Sequence, residues 1–291
     1  MRLKSLPADV DPAERWLGDR FLGETFSGMP PEEGSRVLKT ALRSVIAKHF
    51  EVEEFALLPI DPVRFAEAFS GLHFEVVEKP VSEDHVGILA PRPNGFSIVV
   101  NPGLSSHRRR FTIAHEVGHS FFYDWKTEVP TLRFRGSRYW VQEGYASEIA
   151  RDILLPERLL SRQRESRGRP SLGNLRSLSS RFDVSADVLR RRLVEDLHLW
   201  DCILFQSRSS NGEIATSTSD ISKGPGFRTI RVPRRISLTQ DHVRGAVPAL
   251  LRESIANGSA RQTITSVGRM LEAESARFGR DESAPIFTLV R

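Results

Sequence analysis

Five consecutive residues, His115-Glu116-Val117-Gly118-His119, combine the side chains of a hydrolytic metal centre. Residues four apart in an α-helix lie on one face, so His115 and His119 can point two imidazoles at the same position. A catalytic Zn²⁺ uses three protein ligands and leaves a fourth position for water. Glu116 lies beside the histidines and can take a proton from that water. The motif predicts a zinc site with Glu116 as the general base; the alternative is a helix whose histidines make ordinary hydrogen bonds.

A third ligand is expected from the next helix, which the apolar pattern predicts at residues 141–155. Its apolar stripe follows the spacing of a core-facing helix: Ala146, Ile149, Ala150, Ile153 and Leu154. At about 100° per residue, Glu143 lies within roughly 50° of the stripe's centre. A buried carboxylate needs a partner, and a metal ion would be one. Glu143 is therefore the expected ligand; the alternative is a carboxylate that interacts with the helix dipole.

Three other acidic residues are alternatives for the third ligand. Glu148 lies nearly opposite the apolar stripe and Asp152 lies on its polar side, so both are expected to be solvated charges. Glu128 lies beside Val129-Pro130 in a predicted loop at 124–140, which makes it a weaker candidate. That loop is rich in arginine and aromatic residues, and either covers the cleft to hold substrate or is anchored to the core by its aromatics.

Three short strands precede the motif helix, at residues 73–77, 86–90 and 96–101. Pro91-Arg92-Pro93-Asn94-Gly95 is strong turn chemistry, so the last two strands are expected to form a hairpin. A short helix at 63–69 comes before them, with Asp61 as its N-cap and Pro62 at its first position. The motif helix is expected to start near Ser105 or Ser106.

Composition and charge place the chain among ordinary globular proteins. It has 291 residues, 27% of them charged and 39% hydrophobic, with a net charge of +5. No apolar run approaches the ~20 residues of a membrane span, and the first 14 residues lack the apolar core of a signal peptide. Cys202 is the single cysteine, which excludes an internal disulfide. We therefore expect a cytoplasmic protein with no membrane partner, whose mild basicity permits nucleic-acid contact without requiring it.

Two linked stretches resemble the ImmA/IrrE family of zinc metallopeptidases. Residues 110–119 read R-F-T-I-A-H-E-V-G-H, and residues 143–156 read E-G-Y-A-S-E-I-A-R-D-I-L-L-P. The family pattern is R-F-T-x-A-H-E-x-G-H followed by E-x-x-A-x-x-F-A-x-x-L-L-x-P, and Ile149 replaces its usual phenylalanine. The resemblance implies that His115, His119 and Glu143 bind the metal and that Glu116 is the catalytic acid and base. It also implies a protein substrate: a helix-turn-helix repressor of stress or mobile-element genes, inactivated by cleavage.

The expected fold class is α+β, with four parts. Residues 1–56 form a helical extension whose best helix spans 36–50, and the resemblance implies a zincin-like metallopeptidase core at 57–160. A helix-turn-helix-like segment follows at 161–199, and a separate α+β module at 200–291. In that module we expect a hairpin of strands 203–207 and 214–217, further strands at 229–232 and 286–290, helices at 243–256 and 267–278, and a flexible loop at 219–226. Some family members carry a sensor-like domain in this place.

The helical segment leaves a second function open. Helices at 172–182 and 186–197 with Arg190, Arg191 and Arg192 could read DNA. However, the turn lacks the glycine often found in that motif, and helix pairs that complete a core are commoner. The alternative to the peptidase is thus a DNA- or partner-binding transcriptional regulator with a structural metal site.

For the peptidase, zinc is the expected cofactor, with another divalent ion such as Mn²⁺ as the alternative. Strand 96–101 is expected to pair with an extended substrate by edge addition. Three residues are candidates to stabilise the oxyanion: Tyr145, Tyr139 and His107. The fourth ligand position favours catalysis over a structural role, because structural zinc sites are normally closed by four protein ligands.

Overall fold

The computed structural model describes residues 58–82, 85–124, 128–132, 139–167, 169–210, 213–217, 221–228, 232, 235–237, 253, 256–257, 259–266, 269–278 and 284–291. The expected helical extension at 1–56 lies outside these residues, as do most of the helix expected at 243–256 and the strand expected at 229–232. The described chain is mixed α+β, as predicted, and it divides into two compact units at residue 158. In the described ranges, no helix is long and apolar enough to cross a membrane.

The first unit contains a three-stranded sheet in the order β1-β3-β2. β1 spans His73–Glu78, β2 spans Gly87–Arg92 and β3 spans Gly95–Val100. β3 runs parallel to β1 and antiparallel to β2, so the expected hairpin is confirmed. Because β3 has a hydrogen-bonded neighbour on each side, it has no free edge for a substrate. The prediction that strand 96–101 pairs with substrate is therefore wrong; in the described part of the sheet, β1 and β2 are the edges.

Two helices flank this sheet in sequence. α1 spans Pro62–Ser70, and the Asp61 side chain accepts hydrogen bonds from the backbone N–H groups of Val63 and Arg64, at 2.9 and 3.3 Å. The expected N-cap is thus confirmed. α2 spans Ser106–Ser120 and contains the whole motif, starting where the sequence indicated. It packs on β2 and β3 and on the next helix, and its buried residues include Ile113, Ala114 and Val117.

The segment predicted as a loop contains secondary structure. β4, Tyr123–Asp124, pairs with β5, Thr131–Leu132, in an antiparallel ladder. Two of the aromatic residues assigned to that loop, Tyr139 and Trp140, begin the helix α3, Tyr139–Leu154. A two-residue ladder is too short to show as an alternating pattern in the sequence, and the helix starts two residues earlier than its apolar pattern.

α3 is covered on two sides, by α2 and by α1. Ala146, Ile149 and Ile153 on its stripe are buried, as the pattern predicted. Asp152 is also buried, with 4% of its surface exposed, so the expectation that it is a solvated charge is wrong. A single apolar stripe describes contact with one neighbour only, whereas α3 contacts two helices.

The second unit begins with helices. α4 spans Glu157–Arg167, α5 spans Leu172–Phe182, and α6 spans Ala186–Arg190 and continues into a π-helical turn at Arg191–Asp196. The Ser185 side chain caps α6 by accepting the Val188 N–H. Asp183 ends α5 in the left-handed conformation with φ 51°, a position that glycine usually fills.

A seven-stranded sheet completes the second unit, in the order β10-β11-β12-β6-β7-β9, with β8 paired to β6. Its strands are β6 Ile203–Ser210, β7 Glu213–Ala215, β8 Ile221–Lys223, β9 Arg235–Ser237, β10 Ser259–Ser266, β11 Arg269–Arg277 and β12 Ile286–Val290. The hairpin of β6 and β7 and the final strand β12 are confirmed. The flexible loop expected at 219–226 is wrong, because β8 lies within it and pairs with β6.

The helix expected at 267–278 is also wrong, because this segment is the strand β11. Its alanine, leucine, methionine and glutamate residues favour a helix locally. β11 pairs with β10 on one side and β12 on the other, and Leu271, Ala273 and Ser275 alternate into the buried face. Pairing on both sides and burial of one face outweigh local helix propensity here.

The arginines of the proposed DNA-reading helix are occupied within the fold. Arg190 is fully buried; its Nε donates to Asp187 at 3.1 Å, and its guanidinium also pairs with Glu195 and Ser222. Arg192 is buried as well and lies 3.8 Å from the carboxylate of Asp196. Two of the three arginines are therefore directed into the protein, which weighs against a DNA-reading surface.

The Arg190 network predicts a stability difference between neighbouring arginines. Arg190→Ala should lower the free energy of unfolding by about 1–3 kcal/mol, because it leaves partly buried carboxylates and a buried hydroxyl without their cation. Arg191→Ala is the matched control: Arg191 is 35% exposed and pairs with Asp187 at 3.5 Å, so its loss should cost less than ~1 kcal/mol. Chemical denaturation of both variants measures the difference; equal stabilities would contradict a structural role for Arg190.

Candidate metal centre

Three side chains from two helices converge at one point in the first unit. α2 supplies His115 and His119, and α3 supplies Glu143. The two histidine Nε2 atoms lie 3.0 Å apart, and the Glu143 carboxylate oxygens lie 3.1 Å from His115 Nε2 and 3.2 Å from His119 Nε2. Among the described residues, these three form the group able to hold a metal ion.

The donor set fits a tetrahedral divalent cation. With metal–ligand bonds of ~2.0–2.1 Å, neighbouring ligand atoms of a tetrahedral site are about 3.3 Å apart. The two histidine Nε2 atoms are 3.0 Å apart, and each lies 3.1 or 3.2 Å from a different oxygen of Glu143, so these separations are close to that distance. The alternative acidic residues lie outside this group: Glu128 is exposed, Glu148 is half-buried and Asp152 is buried elsewhere along α3.

A close crossing of the two helices positions these donors. A Cβ atom built on Gly118 of α2 would lie 2.7 Å from the backbone oxygen and 2.9 Å from the Cα of Ala146 on α3. Both distances are shorter than side-chain contacts allow, so glycine is required at this position. Gly118 lies directly before His119, and Ala146 lies one helical turn after Glu143, so the crossing point lies next to the ligands.

Glu116 is held by strand β2 beside this group. It is 6% exposed, and the backbone N–H of Leu89 donates a hydrogen bond to its carboxylate. Burial, together with the charge of Glu143, raises the pKa of Glu116 to about 7, and the Leu89 hydrogen bond opposes that rise. A Cβ on Gly87 would lie 2.9 Å from Glu116 Oε1, so β2 approaches the carboxylate through a glycine. Neither β2 contact was foreseen in the sequence.

Burial keeps both histidines neutral. It lowers the pKa of His119 to about 4, with a further lowering by the nearby His115 and an opposing effect of Glu143. Burial also lowers the pKa of His115, again opposed by the charge and hydrogen bond of Glu143. Neutral imidazole is the form that binds a metal, because the ring nitrogen must present its lone pair.

The structure adds two residues to the neighbourhood that the sequence reading missed. Ser147 Oγ lies 3.2 Å from His115 Nδ1. Burial, together with the charge of Glu116, raises the pKa of Tyr123, whose ring packs edge-on against Phe96 at 5.2 Å. The spacing of four between Glu143 and Ser147 could have identified Ser147, whereas Tyr123 has no sequence signal beyond its nearness to the motif.

The three residues considered for the oxyanion occupy different places. Tyr145 is buried on α3, with its ring 6.3 Å from that of Phe122. His107 is half-buried in the first turn of α2, eight residues before His115. The side chain of Tyr139 lies outside the described part of the chain. The oxyanion role of each stays a prediction.

The helix crossing generates a test with a built-in control. Gly118→Ala should destabilise the protein by about 1–3 kcal/mol, because the helices must separate to admit the methyl group. Gly144→Ala on α3 introduces a Cβ that meets nothing within 4 Å, and should raise stability by about 0.5–1 kcal/mol through helix propensity. Thermal and chemical unfolding of both variants compare the two effects. A neutral Gly118→Ala would show that the crossing is not close.

A protein-family model matches part of the chain. Residues 73–194 match the peptidase M78 family model, described as the IrrE N-terminal-like domain. No curated protein matches the chain. The match covers the three-stranded sheet, both helices of the cluster and the helices α4 to α6, and it confirms the resemblance to the ImmA/IrrE family seen in residues 110–119 and 143–156. Residues 73–194 are thus an IrrE N-terminal-like domain of the peptidase M78 family, which indicates a metallopeptidase and a protein substrate.

Proposed function

We propose that the protein is a zinc-dependent endopeptidase of restricted specificity. In this proposal His115, His119 and Glu143 are the metal ligands and Glu116 is the catalytic base. The observation that carries it is the convergence of the three donor atoms within 4.8 Å of one another, beside a buried carboxylate on the same helix as the histidines. Two imidazoles and one carboxylate suit zinc, and Mn²⁺ is the alternative occupant.

Three protein donors support a catalytic site over a structural one. Structural zinc sites are normally closed by four protein ligands, whereas catalytic sites keep one position open. Within the described residues the group comprises His115, His119 and Glu143, one short of a closed site. A fourth position is thus left for water or substrate, which supports the peptidase over the regulator with a structural metal.

In this proposal Glu116 is the general base and then the general acid of peptide hydrolysis. A zinc ion, when bound, polarises the scissile carbonyl and makes water a stronger acid. Glu116 accepts a proton from the attacking water and then donates it to the leaving amine. Burial is the main cause that raises the pKa of Glu116, and a carboxyl with a raised pKa suits proton transfer in both directions near neutral pH. The Leu89 N–H fixes the orientation of the carboxylate through both transfers.

Strand β2 is the better candidate for the substrate edge. It lies at the border of the described sheet, and two of its residues, Gly87 and Leu89, contact Glu116. An extended peptide laid along β2 would therefore run beside the base. Edge addition leaves alternate side chains of the peptide to set specificity.

The substrate class follows from the family relation. We propose a zincin-like core around α2 and α3, and a cytoplasmic protein that cleaves a helix-turn-helix repressor of a stress or mobile-element response. The family match supports this type of peptidase. A helix-turn-helix repressor encoded beside the gene is the first substrate to test. The β-rich part beyond residue 200 is proposed to regulate cleavage without taking part in the chemistry.

Metal content tests the ligand assignment. We expect about one zinc per chain in the purified protein, removable by chelators, because three ligands define one site. His115→Ala, His119→Ala and Glu143→Ala should each lose the metal as measured by elemental analysis. Glu148→Ala is the matched control on α3 and should keep it. Loss of zinc in Glu148→Ala with full zinc in Glu143→Ala would reverse the assignment of the third ligand.

Glu116→Gln tests the assignment of the base. The variant should keep its zinc and its fold but lose cleavage of the repressor by at least about 100-fold, because an amide cannot accept the proton. Gel analysis of cleavage with elemental analysis of the same sample separates the two properties. Turnover at the wild-type rate would remove Glu116 from the mechanism, and loss of zinc would make it a structural residue of the site.

A further inference from the structure

Ser147 contacts the far side of one histidine of the cluster. Its hydroxyl oxygen lies 3.2 Å from Nδ1 of His115, while Nε2 of the same ring is one of the converging donor atoms. Ser147 follows Glu143 by four residues on α3, so the two side chains lie on the same face of that helix. One face of α3 thus contacts both nitrogens of the His115 ring.

The contact between Ser147 and His115 affects which nitrogen of the His115 ring carries the proton. Neutral imidazole has one proton for its two nitrogens, and the nitrogen that binds a metal must be the one without it. If Nε2 of His115 faces the metal, Nδ1 carries the proton and needs an acceptor. A hydroxyl oxygen has two lone pairs for such a bond, and acceptors in this place fix the orientation of metal-binding histidines.

The helix crossing explains why so short a side chain reaches the ring. Ala146 and Gly118 approach as closely as backbone atoms allow, and Ser147 is the next residue after Ala146. The helices are therefore near enough for a single Cβ–Oγ bond to span the gap to His115. The His115 side chain is 17% exposed, so water has restricted access to compete for the Nδ1 proton.

We propose that Ser147 is a positioning residue whose hydroxyl accepts the Nδ1–H of His115 and holds the Nε2 lone pair toward the metal. The proposal rests on the metal centre of the proposed function. A neutral hydroxyl orients the ring without adding negative charge beside Glu143 and Glu116. α3 therefore contributes one direct ligand, Glu143, and the orientation of a second ligand that belongs to α2.

Zinc affinity measured by competition with a chromogenic chelator tests the proposal. Ser147→Ala in the full chain should bind zinc about 10–100-fold more weakly, the usual effect of losing such an orienting partner. Ser147→Thr keeps a hydroxyl and should stay within about threefold of wild type by the same reasoning. Ser97→Ala, which removes a fully buried hydroxyl from β3, is the control and should bind zinc as wild type does. Equal affinity of Ser147→Ala and wild type, or a threonine variant as weak as alanine, overturns the proposal.

Nitrogen NMR of the His115 ring separates positioning from general packing. In the zinc-bound wild type we expect Nδ1 to carry a slowly exchanging proton and Nε2 to be the metal-bound nitrogen. In Ser147→Ala that proton should exchange rapidly with water. An equally protected proton in Ser147→Ala, or zinc on Nδ1, overturns the role of Ser147 while leaving the peptidase proposal intact. A wild type that binds zinc with the expected ring state but cleaves no protein overturns only the proposed function, and a wild type without zinc overturns both.

Discussion

The close approach of α2 and α3 is the constraint on which the candidate site depends. The donors come from separate helices, and their separations of 3.0–3.2 Å leave no room for a looser crossing. Gly118 has no Cβ at the point where one would lie 2.7 Å from the backbone oxygen of Ala146. The positions of His115, His119 and Glu143 therefore depend on the backbone contact between Gly118 and Ala146, two residues without reactive side chains.

The electrostatics of the site follow from the same packing. Two histidines and two carboxylates share a poorly hydrated space, where isolated charges are unfavourable. Burial lowers the pKa values of both histidines and raises the pKa of Glu116. All three shifts favour the uncharged forms of these side chains. A divalent cation would reverse part of this pressure by compensating the carboxylates. An arrangement that is unfavourable for several negative charges together is therefore suited to a divalent cation.

The sequence predicted the parts of the site that follow helical periodicity. The spacing of His115 and His119 and the angular position of Glu143 depend only on one helix each, so they could be derived without the fold. The contacts of Glu116 with β2 could not, because they join segments that are far apart in sequence. The prediction of a helix for β11 is wrong for a related reason. Its local composition favours a helix, and pairing with β10 and β12 makes it a strand. Asp152 shows the limit of one-sided patterns, since its helix packs on two sides.

Pro91 in β2 limits the backbone hydrogen bonds that this edge strand can make with an added peptide. Pro91 pairs with Phe96 in the ladder although it has no N–H to donate. Prolines are tolerated in strands where the missing donor would have faced outward, so this border lacks a hydrogen-bond donor at residue 91. Because the Leu89 N–H is already donated to Glu116, the backbone template that β2 offers to an incoming chain is short. Such a short template protects the protein from open-ended strand association through the exposed Ile88. It also means that a peptide gains little affinity from its backbone alone, so recognition has to come from side chains or from surfaces beyond the scissile segment.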